Sequence, residues 1–404
     1  MSSAKPQSSA AGVSEPVLEI RDLSVSLPAW ADRPRAVNSV SLTVGRGETL
    51  CVVGESGSGK SVMARSILRL LPEPHLRISG GAILLDGEDL ARADDRRMRQ
   101  IRGGEIAMIF QEPMVSLNPL MTVGRQIDEI LEVHTSWGKA ERRRRVIATF
   151  EDVRLPEPER IVDAYPHELS GGQRQRVMIA MSLVLEPKLI IADEPTTALD
   201  VTTEAQILTL LKELQTKHGT ALLFITHNFG VVAEIADRVA VMRFGELVEY
   251  GPAANVLDNP QHAYTKALIN AVPSLVPRKH PPRNAEALSE PILTVRGLEK
   301  TYGRPQSGPN WLSRILPGLG QGRRSAVRAV NKVDLDIRRG SAVALVGESG
   351  SGKSTLARCL IGLEQADAGS AVVAGDQIVG LSRKGWRPLR SRGQMVFQDP
   401  FASL

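Results

Sequence analysis

The amino-acid sequence predicts a duplicated α/β fold built on a largely parallel sheet. Apolar runs of strand length, TLCVV, LIIAD, ALLFI and RVAVM, alternate with segments of helical spacing such as TTEAQILTLLKELQTK. This alternation is typical of strands that helices cover on both faces. In addition, the stretch AVNSVSLTVGRGETLCVVGESGSGKS recurs later as AVNKVDLDIRRGSAVALVGESGSGKS. One structural plan is therefore expected to occur twice.

Length and composition are those of a two-domain globular protein. The chain has 404 residues, and its 50 basic and 45 acidic side chains leave a net charge of +5, which is too mild to indicate a nucleic-acid partner. The basic run ERRRR at 141–145 has no interleaved aromatic residues and is interpreted as a solvated helix face. Cys51 and Cys359 lie in apolar surroundings. We expect both to be buried and to form no thiolate metal cage.

Composition also places the domain boundaries. Residues 1–16 lack the apolar core of a signal peptide and are expected to form a disordered tail. The first domain is predicted at 17–272, a proline-rich and charged linker at 273–290, and the second domain at 291–404. The apolar runs are too short for a membrane helix, so we expect a cytoplasmic chain whose partners supply any membrane span.

The phrase GESGSGKS has the sequence and the setting of a phosphate-binding loop. It follows a predicted strand and opens a predicted helix, so its backbone N–H groups and the helix N-terminus can face phosphate oxygens. Lys60 can reach the β- and γ-phosphates, and the Ser61 hydroxyl can hold Mg²⁺. An ordinary glycine-rich turn is the alternative, and the recurrence of the phrase in the same context disfavours it. The predicted nucleotide-contacting residues are Gly54, Glu55, Ser56, Gly57, Ser58, Gly59, Lys60 and Ser61 in the first copy, and Gly347, Glu348, Ser349, Gly350, Ser351, Gly352, Lys353, Ser354 and Thr355 in the second.

An acidic pair follows the predicted strand LIIAD. Asp193 ends this strand and is expected to hold Mg²⁺ through water, while Glu194 is placed to polarise the attacking water. We expect this strand to pair directly with the phosphate-loop strand. The alternative, an exposed acidic strand end with no function, is disfavoured by the phosphate loop upstream.

A second anion-binding helix start is predicted in LSGGQRQR. Ser170, Gly171 and Gly172 precede the helical stretch QRQRVMIAMSLVL. One nucleotide does not need two such helix starts in one domain. We therefore expect this one to close over a nucleotide held by the phosphate loop of another domain.

Taken in order, GESGSGKS, Gln111, LSGGQ, LIIADEP, TALD and His227 in FITHN resemble an ATP-binding cassette (ABC) ATPase. The resemblance implies a P-loop NTPase (RecA-like) core with an antiparallel β subdomain and a helical subdomain, here duplicated with an incomplete second copy. It also implies ATP and Mg²⁺ as ligands, and a helical arm at about 113–186 that docks a membrane subunit.

The same resemblance assigns roles to single residues. Gln111 senses metal and water, His227 orients the γ-phosphate, Gln173 belongs to the LSGGQ contact and Asp200 contacts the partner domain. The implied catalytic residues are thus Glu194, His227 and Gln111, and the implied metal-site residues are Ser61, Gln111, Asp193, Ser354 and Gln398. The family usually stacks adenine on an aromatic residue. Tyr302 fits this position in copy two, but copy one has Leu27 there with Trp30 nearby.

Longer phrases narrow the resemblance to the oligopeptide/dipeptide import ATPases. RGGEIAMIFQEPMVSLNPLMTVGRQI and the segment after the sheet, about 246–272, carry it, although Ala263 stands where that family usually has proline. Some members have a cysteine cluster after this segment; this chain has none there, so we expect no iron–sulfur centre.

Two domains in one chain resemble the double-length ATPases of glutathione and peptide importers. The implied partners are two transmembrane permease subunits, a periplasmic or extracellular solute-binding protein, and a second cassette in the same chain or in a homodimer, with no nucleic acid. The implied location is peripheral, on the cytoplasmic face of the inner membrane.

The second copy stops at Leu404, soon after the phrase MVFQDP. It has no LSGGQ, no Asp–Glu strand and no switch histidine, so we expect it not to fold as an independent domain and the chain to be a fragment of a longer protein. A natural shortened protein that forms homodimers is the alternative.

For function, an importer ATPase is the main hypothesis. A soluble ABC protein of translation or DNA repair and a catalytically silent fragment remain as alternatives.

Overall fold

The computed structural model describes residues 16–111, 116–197, 199–272, 291–303, 326–348, 350–391 and 393–397. The predictions for the tail up to residue 15, the linker 273–290, Ser349 and Gln398 lie outside the described residues. Internal contacts divide the chain into two compact units, Met1–Leu275 and Val276–Leu404.

The first unit combines an antiparallel sheet, a parallel sheet and a helical arm. It begins with β1 (Pro16–Ser26), β2 (Arg35–Gly45), β3 (Thr49–Val53), α1 (Lys60–Ile67), β4 (Arg77–Leu85), β5 (Glu88–Asp89), α2 (Asp95–Gly104) and β6 (Ile106–Ile109). The arm follows with α3 (Val123–His134), α4 (Lys139–Asp152), α5 (Pro158–Ile161), a 3₁₀ turn (Pro166–Glu168) and α6 (Gly171–Leu183). The unit continues with β7 (Leu189–Asp193), α7 (Val201–His218), β8 (Ala221–Ile225), α8 (Phe229–Ile235), β9 (Arg238–Arg243), β10 (Glu246–Pro252), α9 (Ala253–Asp258) and α10 (Ala263–Ala271).

The larger sheet has the order β10-β9-β3-β8-β7-β6, and only β10 runs antiparallel to its neighbour. The expected parallel sheet is confirmed. One detail of the prediction is wrong: β7, which ends at Asp193, does not pair with the phosphate-loop strand β3. Strand β8 lies between them, with Leu222–Ile225 paired to both neighbours. Periodicity shows that a strand is buried on both faces, but it does not show which strands are neighbours.

The two faces of this sheet bury two separate cores. Along β3, Leu50 and Val52 pack with the antiparallel sheet and α1, whereas Cys51 and Val53 pack with the arm and the helices that follow β7. All four side chains are fully buried, because successive side chains of a strand point to opposite faces. Full burial of an apolar side chain contributes ~1.5–3 kcal/mol. The predicted burial of Cys51 and of Cys359 is confirmed.

Helix α3 packs through one apolar face. In α3, Val123, Ile127 and Leu131 are buried at a spacing of four residues. The longer helix α7 starts at the Asp200 cap and ends at Gly219 with φ +64°, a left-handed conformation that glycine adopts without steric cost. Among the described residues, no helix is both long enough and apolar enough to cross a membrane.

The second unit contains β11 (Pro291–Tyr302), β12 (Val327–Arg338), α11 (Lys353–Leu360), β13 (Ala368–Val373), β14 (Asp376–Gln377) and α12 (Arg383–Trp386). Its sheet has the order β12-β11-β13-β14 and is antiparallel throughout. Val295, Leu298 and Ala371 belong to its own small core. The segment 342–346, which repeats β3 in sequence, forms no strand, and Val346 is 93% exposed.

Candidate functional site

At two positions, the loop between β3 and α1 has a backbone conformation and a close packing that only glycine allows. Gly54 has φ +150° and Gly59 has φ +101°. A Cβ at Gly54 would lie 2.2 Å from the carbonyl oxygen of Met242, and one at Gly59 would lie 2.4 Å from that of Ala36. The loop therefore packs closely against β9 and β2, while Gly57 at its outer side has open space around it. An open outer side is what a phosphate cradle needs.

Lys60 is the first residue of α1 and is only 6% exposed. Its Nζ donates to the carbonyl oxygens of Gly54 (2.8 Å) and Glu55 (2.9 Å) and to Ser58 Oγ (3.3 Å). Burial lowers the pKa of the Lys60 ammonium, and nearby carboxylates act in the opposite direction. A cation is thus held at the centre of the loop, where phosphate oxygens could replace its backbone partners.

Ser61 and Asp193 form the second part of the site. The Ser61 hydroxyl donates to Asp193 Oδ1 at 2.8 Å. Asp193 is only 1% exposed, and this burial raises the pKa of its carboxyl group, an effect that the hydrogen bond from Ser61 opposes. A hydroxyl and a carboxylate side by side are hard oxygen donors of the kind that Mg²⁺ prefers. The residues present therefore fit an ATP-bound magnesium ion.

Glu194 is the centre of a cluster drawn from three strand ends. Gln111, just after β6, donates through Nε2 to Glu194 Oε2 at 2.9 Å, and His227 Nδ1, just after β8, lies 3.2 Å from Oε1. Because a carboxylate can only accept, His227 donates in this contact when its Nδ1 carries the proton. Thr197 Oγ1 also donates to Oε2, at 3.2 Å. Of the three residues to which the resemblance gives catalytic roles, Gln111 and His227 thus both contact the third, Glu194. Thr197 is a member of the cluster that the sequence analysis missed.

The LSGGQ stretch forms a well-capped helix start. Ser170 Oγ accepts the Gln173 N–H at 3.2 Å, and Gln173 Oε1 accepts the Ser170 N–H at 2.9 Å. This reciprocal pair is a capping box. Ser170 and Gly171 are exposed, and the side chains of Ser170 and Gln173 each bond to the backbone N–H of the other residue. The predicted contact of this helix start with another domain's nucleotide stays a prediction.

Asp200 caps α7. Its carboxylate accepts the Thr203 N–H at 3.0 Å and the Thr203 hydroxyl at 2.9 Å. A role in contacting a partner domain comes from the resemblance alone and stays a prediction.

The loop between β1 and β2 lies where the family places its adenine-stacking residue. Trp30 is 81% exposed. From the same loop, Arg33 Nη2 donates to the carbonyl oxygen of Gly57 in the phosphate loop at 2.5 Å. In the second unit, Tyr302 is exposed and Lys300 Nζ lies 5.3 Å from its ring centre.

The second phosphate loop repeats the contacts of the first. Lys353 Nζ donates to the carbonyl oxygens of Gly347 (2.7 Å) and Glu348 (2.7 Å) and to Ser351 Oγ (3.2 Å). Ser354 and Thr355 continue into α11, as Ser61 continues into α1. The metal-site prediction for Gln398 concerns a residue outside the described part of the chain.

Three features of the site define a P-loop ATPase. They are a glycine-dependent loop around a buried lysine, a neighbouring serine and aspartate that offer oxygen ligands, and a glutamate at a strand end in contact with glutamine and histidine. The family model described as "ABC transporter" matches residues 37–197 and 330–403. A second model, the C-terminal region of oligopeptide/dipeptide transporters, matches residues 248–294. The chain therefore belongs to the ABC transporter family, as the motifs predicted.

Similar proteins agree with this assignment. The chain is 48% identical over 390 residues to the peptidoglycan transport ATP-binding protein YejF of Agrobacterium fabrum, covering 96% of this chain and 68% of that protein. It is 42% identical over 417 residues to the glutathione import ATP-binding protein GsiA of Salmonella paratyphi A, covering 97% of this chain and 65% of that protein. The chain thus spans about two thirds of the length of these relatives.

Solved structures confirm the cassette fold. A dimeric ATP-binding cassette in a post-hydrolysis state with ADP and Pi matches with a TM-score of 0.52 and 29% identity, over 58% of this chain and 98% of that one. The cbiO1 protein of Clostridium perfringens, part of an ABC transporter complex, matches with a TM-score of 0.53 and 28% identity, over 60% of this chain and 91% of that one.

Proposed function

We propose that the chain binds and hydrolyses ATP to energise the import of peptides or glutathione through membrane permease partners. The observation that carries the proposal is the Glu194 cluster next to the Ser61–Asp193 pair. A glutamate oriented by Gln111 and His227 at 2.9 and 3.2 Å is suited to accept a proton from an attacking water, because its carboxylate is already held in a fixed direction.

Each group has a distinct task in this proposal. Lys60 and the loop N–H groups bind the β- and γ-phosphates, and Ser61 and Asp193 would hold Mg²⁺, which when bound neutralises charge on the phosphates. Two donors bond to Oε2 of Glu194, and one, His227, lies at Oε1. A carboxylate oxygen has two acceptor sites, so Oε1 can also accept the water that Glu194 activates. His227 is exposed and can turn from Glu194 toward the γ-phosphate, as the family resemblance implies.

The partner proposal is supported by an apolar groove beside Gln111. The groove encloses about 510 Å³ and lies against β6 and α3. Its lining includes Leu70, Phe110, Met121, Ile130 and Val133, of which Leu70, Phe110 and Val133 are exposed apolar side chains. Phe110 directly precedes Gln111, so a permease helix seated here would touch the residue next to the catalytic cluster. This would place the chain peripherally, on the cytoplasmic face of the membrane.

The choice of solute is argued from the relatives. One relative is named for glutathione import and another for peptidoglycan transport, and the match to the oligopeptide/dipeptide C-terminal region favours peptide-containing solutes. A solute-binding protein outside the membrane and two permease subunits complete the proposed importer. The soluble translation or repair alternative is disfavoured by this same C-terminal match. A silent scaffold is disfavoured by the assembled Glu194 cluster.

The test of nucleotide binding is Lys60→Ala in the full chain. A Lys353→Ala background silences the second loop, and a fluorescent ATP analogue with Mg²⁺ is the probe. We expect the dissociation constant of the first loop to rise at least about tenfold, because several hydrogen bonds to a charged group are lost. Lys217→Ala, which removes an exposed lysine paired with Asp152, is the control and should bind as the parent does. Unaltered affinity in Lys60→Ala would refute the phosphate-loop assignment.

A further inference from the structure

A tyrosine from the segment that follows the parallel sheet reaches the phosphate loop. Tyr264 lies in α10 and is only 8% exposed. Its hydroxyl oxygen accepts the backbone N–H of Glu55 at 3.0 Å. The Arg243 guanidinium lies over the tyrosine ring, 4.8 Å from its centre, and such a contact fixes the ring in place.

The Tyr264 hydroxyl and Lys60 both hydrogen-bond to the peptide group between Gly54 and Glu55. The carbonyl oxygen of Gly54 accepts the Lys60 ammonium at 2.8 Å, and the Glu55 N–H belongs to the same peptide plane. Lys60 therefore holds one edge of the plane and Tyr264 holds the other. On the side of β9, Gly54 packs so closely against the carbonyl oxygen of Met242 that a Cβ would not fit there.

The start of α10 is itself anchored to the sheet. On β10, the Glu249 carboxylate accepts the N–H groups of Gln261 (2.7 Å) and His262 (3.1 Å). His262 Nδ1 in turn accepts the Tyr264 N–H at 3.1 Å. A continuous set of hydrogen bonds thus runs from β10 through the start of α10 to the phosphate loop. A hydroxyl mounted this way can orient the loop, since its own position is determined by neighbouring bonds.

We propose that Tyr264 is a positioning residue for ATP binding. Through the Gly54–Glu55 peptide it holds the first phosphate loop in the geometry from which Lys60 and the loop N–H groups engage phosphates. The inference rests on the proposed function of the loop. It adds a role for the segment after the sheet, about 246–272. In this role, the segment sets the nucleotide affinity of the cassette that it follows.

The chain offers a matched control in the same segment. Tyr250 on β10 also lies beneath an arginine, with the Arg238 guanidinium 4.3 Å from its ring centre. Its hydroxyl accepts the Thr43 N–H and donates to the Thr43 carbonyl, both at 3.0 Å. Tyr250→Phe therefore removes the same chemical group from the same kind of setting, but from a contact with β2 instead of the phosphate loop.

The experiment compares the two Tyr→Phe variants in the full chain with the Lys353→Ala background. Affinity for the fluorescent ATP analogue with Mg²⁺ and the thermal midpoint Tm are both measured. Tyr264→Phe leaves the Glu55 N–H without its partner, so we expect the dissociation constant to rise about threefold to tenfold. Tyr250→Phe should keep the parent affinity to within about twofold, although both variants lower Tm.

The outcomes separate this inference from the proposed function. If Tyr264→Phe binds as the parent does while Lys60→Ala loses binding, the role of Tyr264 is overturned and ATP binding stands. An equal loss of affinity in both tyrosine variants would also overturn it, because the effect would then follow stability and not the contact with the loop. If Lys60→Ala itself binds as the parent does, the failure lies with the proposed function.

Discussion

Asp193 and Glu194 are consecutive residues whose carboxylates lie in different surroundings. Asp193 is the last residue of a buried strand, so its side chain stays inside beside Ser61. Glu194 has φ +49°, a left-handed conformation that is uncommon for residues with a Cβ. This conformation turns the chain at the strand end and directs the Glu194 carboxylate toward Gln111 and His227. One residue is thus suited to hold a cation and the next to activate water.

At the residue scale, short motifs predicted most of this cluster. Lys60, Ser61, Asp193 and Glu194 follow from loop and strand-end patterns, since such patterns place side chains at one edge of a parallel sheet. Tyr264 could not be found this way, because it lies 209 positions after Glu55. A single tyrosine also forms no motif with a recognisable spacing. A hydroxyl three residues after Glu194 was the available signal for Thr197, but it is too common to be specific.

A pH-dependent contribution to stability is expected from Asp128 in the arm. Its carboxylate accepts Arg142 Nε at 2.6 Å, and Arg142 and Arg125 hold its pKa below the usual range. A lowered pKa means that the stabilisation is present above the unfolded-state pKa of about 3.9 and is lost as pH falls through the folded-state value. Asp128→Asn should therefore reduce the free energy of unfolding at pH 7 by ~1–2 kcal/mol.

Denaturant unfolding at pH 7 and near pH 3 checks this prediction. The difference between Asp128→Asn and the parent should shrink at the lower pH. Asp95→Asn is the control, since Asp95 is exposed and lies 3.9 Å from Arg69, and exposed pairs of this kind contribute little. A pH-independent difference would show that packing, and not charge, is responsible.

At the element scale, burial patterns identified the strands but could not order them. β3, β7 and β8 are predominantly apolar and buried along their whole length, so their patterns are equivalent. The hydrogen bonds place β8 between the two strands that carry the phosphate loop and Asp193. As a result, His227 after β8 lies next to Glu194 after β7 and reaches its carboxylate.

The start of α10 explains why alanine can stand where the family usually has proline. Ala263 is the first helical residue after the His262 cap and is exposed. Proline is favoured at this position, since its fixed φ suits the first helical turn and the N–H that it lacks is not used within the helix. Ala263→Pro should raise the free energy of unfolding by ~0.4–1 kcal/mol.

Denaturant unfolding measures this effect, and nucleotide affinity should stay at the parent value because Tyr264 keeps its place. A matched change inside the same helix, Leu268→Pro, should instead destabilise by ~3 kcal/mol or more, since it removes an intrahelical bond. A loss of stability in Ala263→Pro would show that the start of α10 is not as described.

At the scale of the whole molecule, the sequence predicted that the phosphate loop occurs twice. It did not predict which phosphate loop meets which LSGGQ helix start. The repeated phrases predicted two phosphate loops, and Lys60 and Lys353 make equivalent contacts with their own loops. The LSGGQ helix start of the first unit exposes Ser170. Its contact with a nucleotide held by another domain stays a prediction. Sequence patterns describe single units and carry no information about which loop meets which helix start.

Glu194→Gln tests whether Glu194 activates water for ATP hydrolysis. The measurement is Mg²⁺-dependent phosphate release from ATP by the full chain, with ATP-analogue affinity determined on the same samples. An amide cannot accept the proton, so phosphate release should fall by ~10² or more while affinity stays at the parent value. Glu186→Gln, at a glutamate that also has a positive φ (+52°) and pairs with Arg145 instead, should release phosphate as the parent does. Equal rates of phosphate release for Glu194→Gln and the parent would show that Glu194 does not activate the attacking water.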